Sequence, residues 1–268
     1  KAFLGNASLV FLDEAQRVKN IGLTLKLLAD TFPQLQVVAT GSSSFDLSNS
    51  IAEPLTGRIR VFRLYPFSWE ELVGASSALE VRRTLETRMI LGSYPEIVRT
   101  GAHEAPVALA HLATSYLFKD ALYYQDVKHP EAVERLLQAL ALQVGAEVSY
   151  NEVAKTVGLD KKTVERYVHL LEAAFVIFRL PPLARNLRNE LTKMRKIYFY
   201  DTGIRNALIH NYNALSLRQD TGALWENFCI SERLKTNHNH GRDVNAYFWR
   251  TKEGKEIDYV EEAQGAFE

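Results

Sequence analysis

The hydrophobic positions of the chain fall into blocks of different period, and each block predicts a different element. Leu9–Leu12 (L-V-F-L) is an uninterrupted apolar run that stops at two acids, the pattern of a strand buried on both faces of a parallel sheet. Gly22–Asp30 (G-L-T-L-K-L-L-A-D) fits a short amphipathic helix. After Pro33, Leu35–Thr40 (L-Q-V-V-A-T) reads as a second strand. A polar loop, G-S-S-S-F-D-L-S-N-S, separates it from a third short strand predicted over Arg60–Leu64. Strands alternating with helices imply a parallel sheet.

From Glu70 to Gly145 the period becomes helical. Ala105–Asp126 and Pro130–Val144 carry apolar residues three and four apart, with Pro95 and Pro130 as breaks. This stretch has the character of a helical lid or linker. Ser149-Tyr150-Asn151-Glu152 then has the S-x-x-E pattern of a capping box. The helix it opens ends at Gly158, and Asp160 can cap the next, Lys161–Ala174. Two helices joined by a tight glycine turn predict a helix-turn-helix. Val176–Leu180 and Lys196–Tyr200 supply the two strands of a wing. Beyond them, Gly222–Leu234 is helical, and Val244–Arg250 and Glu256–Val260 form strands around the turn T-K-E-G-K.

The pattern alone predicts an α/β architecture: a parallel sheet, then a helical lid, a winged helix and a small α/β unit. The corresponding spans are 1–72, 73–145, 146–200 and 201–268. A length of 268 residues suits about two domains. Lys plus Arg and Asp plus Glu balance at 32 each, so any nucleic-acid surface must be local. The lone cysteine, Cys229, excludes an internal disulfide, and its apolar surroundings (W-E-N-F-C-I) place it in the core. No apolar stretch is long enough for a membrane span and no signal peptide is present, which leads to the expectation of a cytoplasmic protein without a membrane partner. The chain starts at Lys1 and reaches a core strand within eight residues, so a fragment of a longer protein is expected.

Chemistry concentrates first at Asp13-Glu14. An apolar strand ending in two carboxylates looks like the Walker B strand of a P-loop ATPase, although a strand running into a solvated acidic turn has the same pattern. The acids emerge at the carboxyl end of the strand, where open α/β sheets bind ligands. Thr40, Gly41, Ser42 and Ser43 end the neighbouring strand. A hydroxyl there can sense the γ-phosphate, or equally cap a helix. The phosphate-binding pattern G-x-x-x-x-G-K-[ST] is absent from the sequence. Without its amides and lysine the phosphates have no cradle.

The order L-V-F-L-D-E-A-Q-R, L-T-L-K-L-L-A-D, V-V-A-T-G-S-S-S-F-D-L, E-P-L-T-G-R and L-Y-P-F-S-W-E-E-L resembles the prokaryotic AAA-type ATPases that carry a C-terminal domain of unknown function. The resemblance covers nearly the whole chain. It implies an ATP- and Mg²⁺-dependent site in which Asp13 is the metal ligand, Glu14 the general base, Thr40 or Ser42 the sensor, and Arg58 a phosphate-sensing arginine.

Two further sites are candidates. Lys161, Lys162, Thr163 and Arg166 open the second helix of the helix-turn-helix, where residues meet the major groove, so duplex DNA is a candidate partner. The alternative is a protein-interaction module with a solvated basic face. Arg179, Arg185, Arg188, Lys193, Arg195 and Lys196 add positive charge near the wing. The tail (G-A-L-W-E-N-F-C-I, Y-F-W-R-T, G-K-E-I-D-Y-V-E-E, A-F-E) is similar to the family's restriction-endonuclease-like region. That likeness implies a metal-binding catalytic set of Glu226, Asp258 and Glu268, with Asp258 as a metal ligand. Glu256 alternates with Asp258 and points to the same face of the strand. His210, His238 and His240 show no ligand spacing, and H-N-H at 238–240 reads as a solvated polar loop. Three functions follow: an ATP-dependent switch on DNA, a DNA- or protein-binding adaptor with a nucleotide latch, and a metal-dependent nuclease.

Overall fold

The computed structural model describes residues 7–41, 58–116, 130–183, 195–251 and 253–267. Its first element pair is parallel: β1 (Leu9–Leu12) runs beside β2 (Gln36–Ala39), with Leu9 opposite Gln36 and Leu12 opposite Ala39. Parallel strands need a crossover, and α1 (Ile21–Thr31) provides it. Ile21 and Leu25 of α1 pack with Ala15 onto Leu12, Val37 and Ala39. The opposite face of β1 is open, with Leu9 54% and Phe11 61% exposed. The expectation of a strand buried on both faces is thus corrected, because α1 covers one side alone among the described residues. The third strand predicted over Arg60–Leu64 does not form; the segment finds no ladder partner among the described residues, and Phe62 and Leu64 are 80% and 96% exposed.

The helical region opens at Ser68, whose hydroxyl and backbone share a reciprocal capping box with Glu71 at the start of α2 (Trp69–Ala75). It continues through α3 (Ala78–Arg83), α4 (Leu85–Leu91), α5 (Pro95–Arg99) and α6 (Ala105–His111). The helix expected from Ala105 changes to a π-helical turn at Leu112–Tyr116, and the remainder of its predicted span lies outside the described residues. Next comes α7 (Pro130–Leu142), amphipathic as its spacing predicts.

The helix pair follows the sequence reading closely. A short strand, β3 (Glu147–Val148), leads into α8 (Tyr150–Val157), capped by the Ser149 hydroxyl on the Glu152 N–H. Gly158, at φ 72°, takes the left-handed turn that favours glycine. Asp160 caps α9 (Lys161–Ala173) through the Thr163 N–H. Then β4 (Ile177–Leu180) and β5 (Arg195–Phe199) pair antiparallel, with β5 central in the order β3–β5–β4. One apolar core joins these elements to α6 and α7.

The last part comprises α10 (Thr202–Leu208), α11 (Thr221–Asn239), and an antiparallel sheet of β6 (Asn245–Arg250), β7 (Glu256–Ala263) and β8 (Ala266–Phe267). The two sheets meet where the Phe248 N–H donates to the Pro181 carbonyl at 3.0 Å and the Leu183 N–H to that of Phe248 at 2.6 Å. Cys229 is exposed rather than in the core. The buried stripe of α11 runs through Leu224, Asn227, Phe228, Ser231 and Lys235 at helical spacing, and Cys229 falls one residue off it. The H-N-H residues are not in a loop: His238 and Asn239 close α11, and the His238 ring meets Tyr65 edge-on.

Two glycines fix how α4 and α10 meet. The buried carboxylate of Asp201 caps α10 on the Ile204 N–H (3.2 Å) and accepts the Ser93 N–H at 2.7 Å. Gly92, at φ 75°, passes so close that a Cβ would stand 1.9 Å from Asp201 Oδ1. A Cβ on Gly203 would stand 2.2 Å from the Leu91 carbonyl oxygen. Backbone cannot yield there as a flexible side chain would. Urea denaturation should therefore show Gly203→Ala less stable by about 1–3 kcal/mol or more, while Gly74→Ala, with open space at its Cβ, should stay within about 1 kcal/mol of the parent. An unchanged midpoint for Gly203→Ala would contradict this packing.

Candidate functional site

The parallel pair β1–β2 delivers the N-terminal candidates to one place. Its ladder continues past the strands, with the Thr40 N–H donating to the Leu12 carbonyl (2.9 Å) and the Ala15 N–H to the Thr40 carbonyl (2.8 Å). That register lays Thr40 beside Asp13, and the Thr40 hydroxyl donates to Asp13 Oδ1 at 2.6 Å. The Glu14 N–H donates to the same oxygen at 3.1 Å. Glu14 itself adopts the left-handed conformation (φ 50°, ψ 41°), sparsely populated by residues other than glycine. Its carboxylate accepts from the Gln16 amide at 2.9 Å and pairs with Arg17 at 3.3 Å. Asp13, Glu14 and Thr40 are therefore together. Arg58 is engaged elsewhere, in an ion pair with Asp30 at the end of α1. Ser42 lies outside the described residues.

Along α9, Lys161, Lys162 and Arg166 are exposed. Lys161 reaches Glu165 at 3.6 Å, one turn on, and the Arg166 guanidinium lies 5.2 Å from the ring centre of Tyr167. Thr163 is committed to the cap: its hydroxyl donates to Asp160 Oδ2 at 2.5 Å. The positive charge expected around the wing is smaller than its residue count. Arg179 is paired with Glu172 at 2.5 Å, and Lys196 is buried. Arg195 lies over the ring of Tyr150, while Arg185, Arg188 and Lys193 are outside the described residues.

The C-terminal candidates also converge, on a partner that the sequence reading did not single out. Glu226 of α11 and Glu256 and Asp258 of β7 all reach the ammonium of Lys196 on β5, at 2.8, 2.5 and 3.0 Å. The Tyr198 hydroxyl, two residues along the same strand face, donates to Glu226 Oε1 at 2.5 Å. Burial opposes charge on Lys196, but the hydrogen bonds it donates to Glu226, Glu256 and Asp258 outweigh it, and the ammonium is held more firmly protonated than an ordinary lysine. Burial, then the bond to Glu226, likewise keeps Tyr198 in its phenol form. No group of three or more His, Cys, Asp or Glu suited to a metal ion occurs among the described residues. The three carboxylates do not fit a divalent ion as they stand, since an ammonium already lies between them. Glu268 is outside the described residues. The sequence signal for Lys196 is a lysine alternating with Tyr198 in a strand that is apolar or aromatic beyond it.

A second buried network supports this unit. Glu261 of β7 accepts from Arg233 (2.7 Å), Asn237 (2.5 Å) and Tyr259 (2.8 Å). Asp220, before α11, accepts from both Arg205 and Arg218, which hold it well below the usual carboxylate range.

An open parallel pair with Asp and Thr at its carboxyl end, followed by helical and antiparallel units, matches what comparison finds. A model described as AAA domain matches residues 1–73, so the N-terminal part is AAA-type and P-loop NTPase-like. The chain belongs to the family described as Domain of unknown function (DUF8612), whose model matches residues 82–217. Residues 221–267 match Domain of unknown function (DUF4143). An uncharacterized protein of Mycobacterium tuberculosis is 28% identical over 98% of this chain and 58% of its own length. An uncharacterized protein of Haemophilus influenzae is 24% identical over 93% of the chain and 61% of its own length. One from Methanocaldococcus jannaschii is 23% identical, covering 96% and 57%. The chain thus spans a little over half the length of these curated relatives. No solved structure matches it. Among the described residues, no helix is long and apolar enough to cross a membrane.

The Glu261 network generates a pH prediction. Chiefly the Arg233 bond, against the opposing effect of burial, lowers the Glu261 carboxyl from 4.5 to about 2. A carboxyl depressed on folding contributes stability that is full above its unfolded value and fades as pH falls through its folded one. Melting temperature should therefore drop as pH is lowered from 4.5 toward 2, and Glu261→Gln should start lower and lose less over that window. Parallel pH profiles for the two proteins would reject the assignment.

Proposed function

We propose that the protein is a nucleotide-dependent switch of AAA type that acts on duplex DNA. The observation that carries the reading is the 2.6 Å bond from the Thr40 hydroxyl to Asp13. It joins the acid that follows one parallel strand to the hydroxyl that follows the next, at the carboxyl end of the sheet where such folds bind ligands.

In this reading Asp13 would hold Mg²⁺, which when bound neutralises charge on the phosphates. The fit is chemical: both polar contacts of the Asp13 carboxylate among the described residues fall on Oδ1, which leaves Oδ2 to face the cation. Thr40 reports the state of the phosphate to β2. Glu14 orients the attacking water and takes its proton, and for this its carboxylate must leave Gln16 and Arg17. Arg58 must likewise exchange Asp30 for a phosphate. The pairing of Glu14 favours a second reading, an adaptor in which nucleotide works only as a latch that releases this contact. Because G-x-x-x-x-G-K-[ST] is absent from the 268 residues, both readings place the phosphate cradle on a segment other than these. On α9, Lys161, Lys162 and Arg166 would contact phosphates of the duplex, while Thr163 serves the helix cap.

The test uses the whole protein. Glu14→Gln should retain ATP binding and slow hydrolysis about 100-fold or more, the usual weight of a general base. Replacing Lys161, Lys162 and Arg166 together by Ala should weaken duplex binding and flatten its salt dependence without changing basal hydrolysis. Undiminished hydrolysis in Glu14→Gln would overturn the catalytic assignment, and unchanged duplex affinity in the triple variant would overturn the DNA assignment.

A further inference from the structure

Lys196 is 1% exposed, deeper than any other lysine described. An ammonium has three N–H donors, and three carboxylates surround this one, from two elements that follow β5 in the chain. The ring of Phe248 closes a further side, its centre 5.6 Å from Nζ. Three acids against one lysine would leave an excess of negative charge that a divalent ion could meet. The centre of the cluster, however, is already filled by a cation that is covalently part of β5. An incoming ion would have to displace the ammonium from three carboxylates that it already bridges. The arrangement continues outward: Arg250 of β6 lies 3.8 Å from Glu256 and 3.4 Å from Glu147 of β3, two residues before the Ser149 cap of α8.

We infer that the Lys196 ammonium is the resident cation of the Glu226–Glu256–Asp258 cluster, in place of a metal ion. The cluster clamps the C-terminal helix and sheet to the β5 sheet, and so to the helix pair. It does not cleave phosphodiesters. The unit at the C-terminus is a docking piece whose position is tied to the helix-turn-helix through Arg250 and Glu147. This goes beyond the proposed switch, and it stands or falls separately, because no residue of the nucleotide site takes part.

Thermal melts with and without Mn²⁺ test it. For the wild type, Mn²⁺ should raise the melting temperature no more than it does for Asp258→Asn. Lys196→Met, which leaves the carboxylates without their cation, should be less stable alone and should gain a Mn²⁺-dependent rise in melting temperature that Lys196→Met/Asp258→Asn lacks. Should Lys196→Met fail to fold, the wild-type comparison still decides. A Mn²⁺-induced rise in the wild type that Glu226→Gln and Asp258→Asn abolish would overturn the inference, as would Mn²⁺-dependent plasmid nicking by the wild type that Asp258→Ala abolishes.

Discussion

A lysine withdrawn from water must be met by acceptors on every donor, since desolvating an ammonium costs several kcal/mol that only close, well-placed partners offset. Lys196 meets that demand by recruiting acids from separate segments, and this constrains the rest of the second half of the chain. β5 must present Lys196 on the same face as Tyr198, α11 must bring Glu226 to that face, and β7 must keep Glu256 and Asp258 in phase. A one-residue slip of β7 would turn both acids away. The buried Asn227 fixes α11 further, its side-chain amide spanning the Phe199 backbone by accepting the N–H at 2.9 Å and donating to the carbonyl at 2.8 Å. The ion cluster sets the register of the last helix and sheet, while Ile230 and Phe248 join their apolar faces to the main core.

The N-terminal pair shows a different economy. Its sheet has two strands among the described residues, one covered face and one open face. What it organises is local: a parallel register that sets Thr40 against Asp13, and a left-handed Glu14 that turns the chain sharply after β1. Residues other than glycine adopt that conformation at a cost, and such strain is often retained where a side chain must be aimed. The open face, with Leu9 and Phe11, is where an α/β sheet of this kind would receive further cover.

Much of this was legible in the sequence, and the reasons are specific. Helix limits in the 146–174 region could be read because capping has a short-range cause: Ser149, Gly158 and Asp160 each act within a few residues. The strand pairs β1–β2 and β6–β7 were legible from apolar runs and from the turn at Gly254. Asp13 and Thr40 could be nominated because both end strands. The misreadings share another cause. Leu9–Leu12 and Arg60–Leu64 were judged by their own composition, whereas burial and pairing depend on neighbours that composition does not name. Cys229 sits in an apolar stretch, yet helical phase, not local hydropathy, sets exposure. Composition counts Lys196 with the surface charge, because a cation in a strand reads alike whether solvated or buried; its partners lie 30 residues and more away. The acids were found by likeness, and their shared partner only by geometry.

What fills the acidic cluster decides the role of the C-terminal unit, and anomalous diffraction answers that directly. Crystals of the chain soaked in Mn²⁺ should show no anomalous peak among Glu226, Glu256 and Asp258, with density for the Lys196 side chain running into their midst. An anomalous peak bridging Asp258 and Glu226, with Lys196 turned aside, would contradict it.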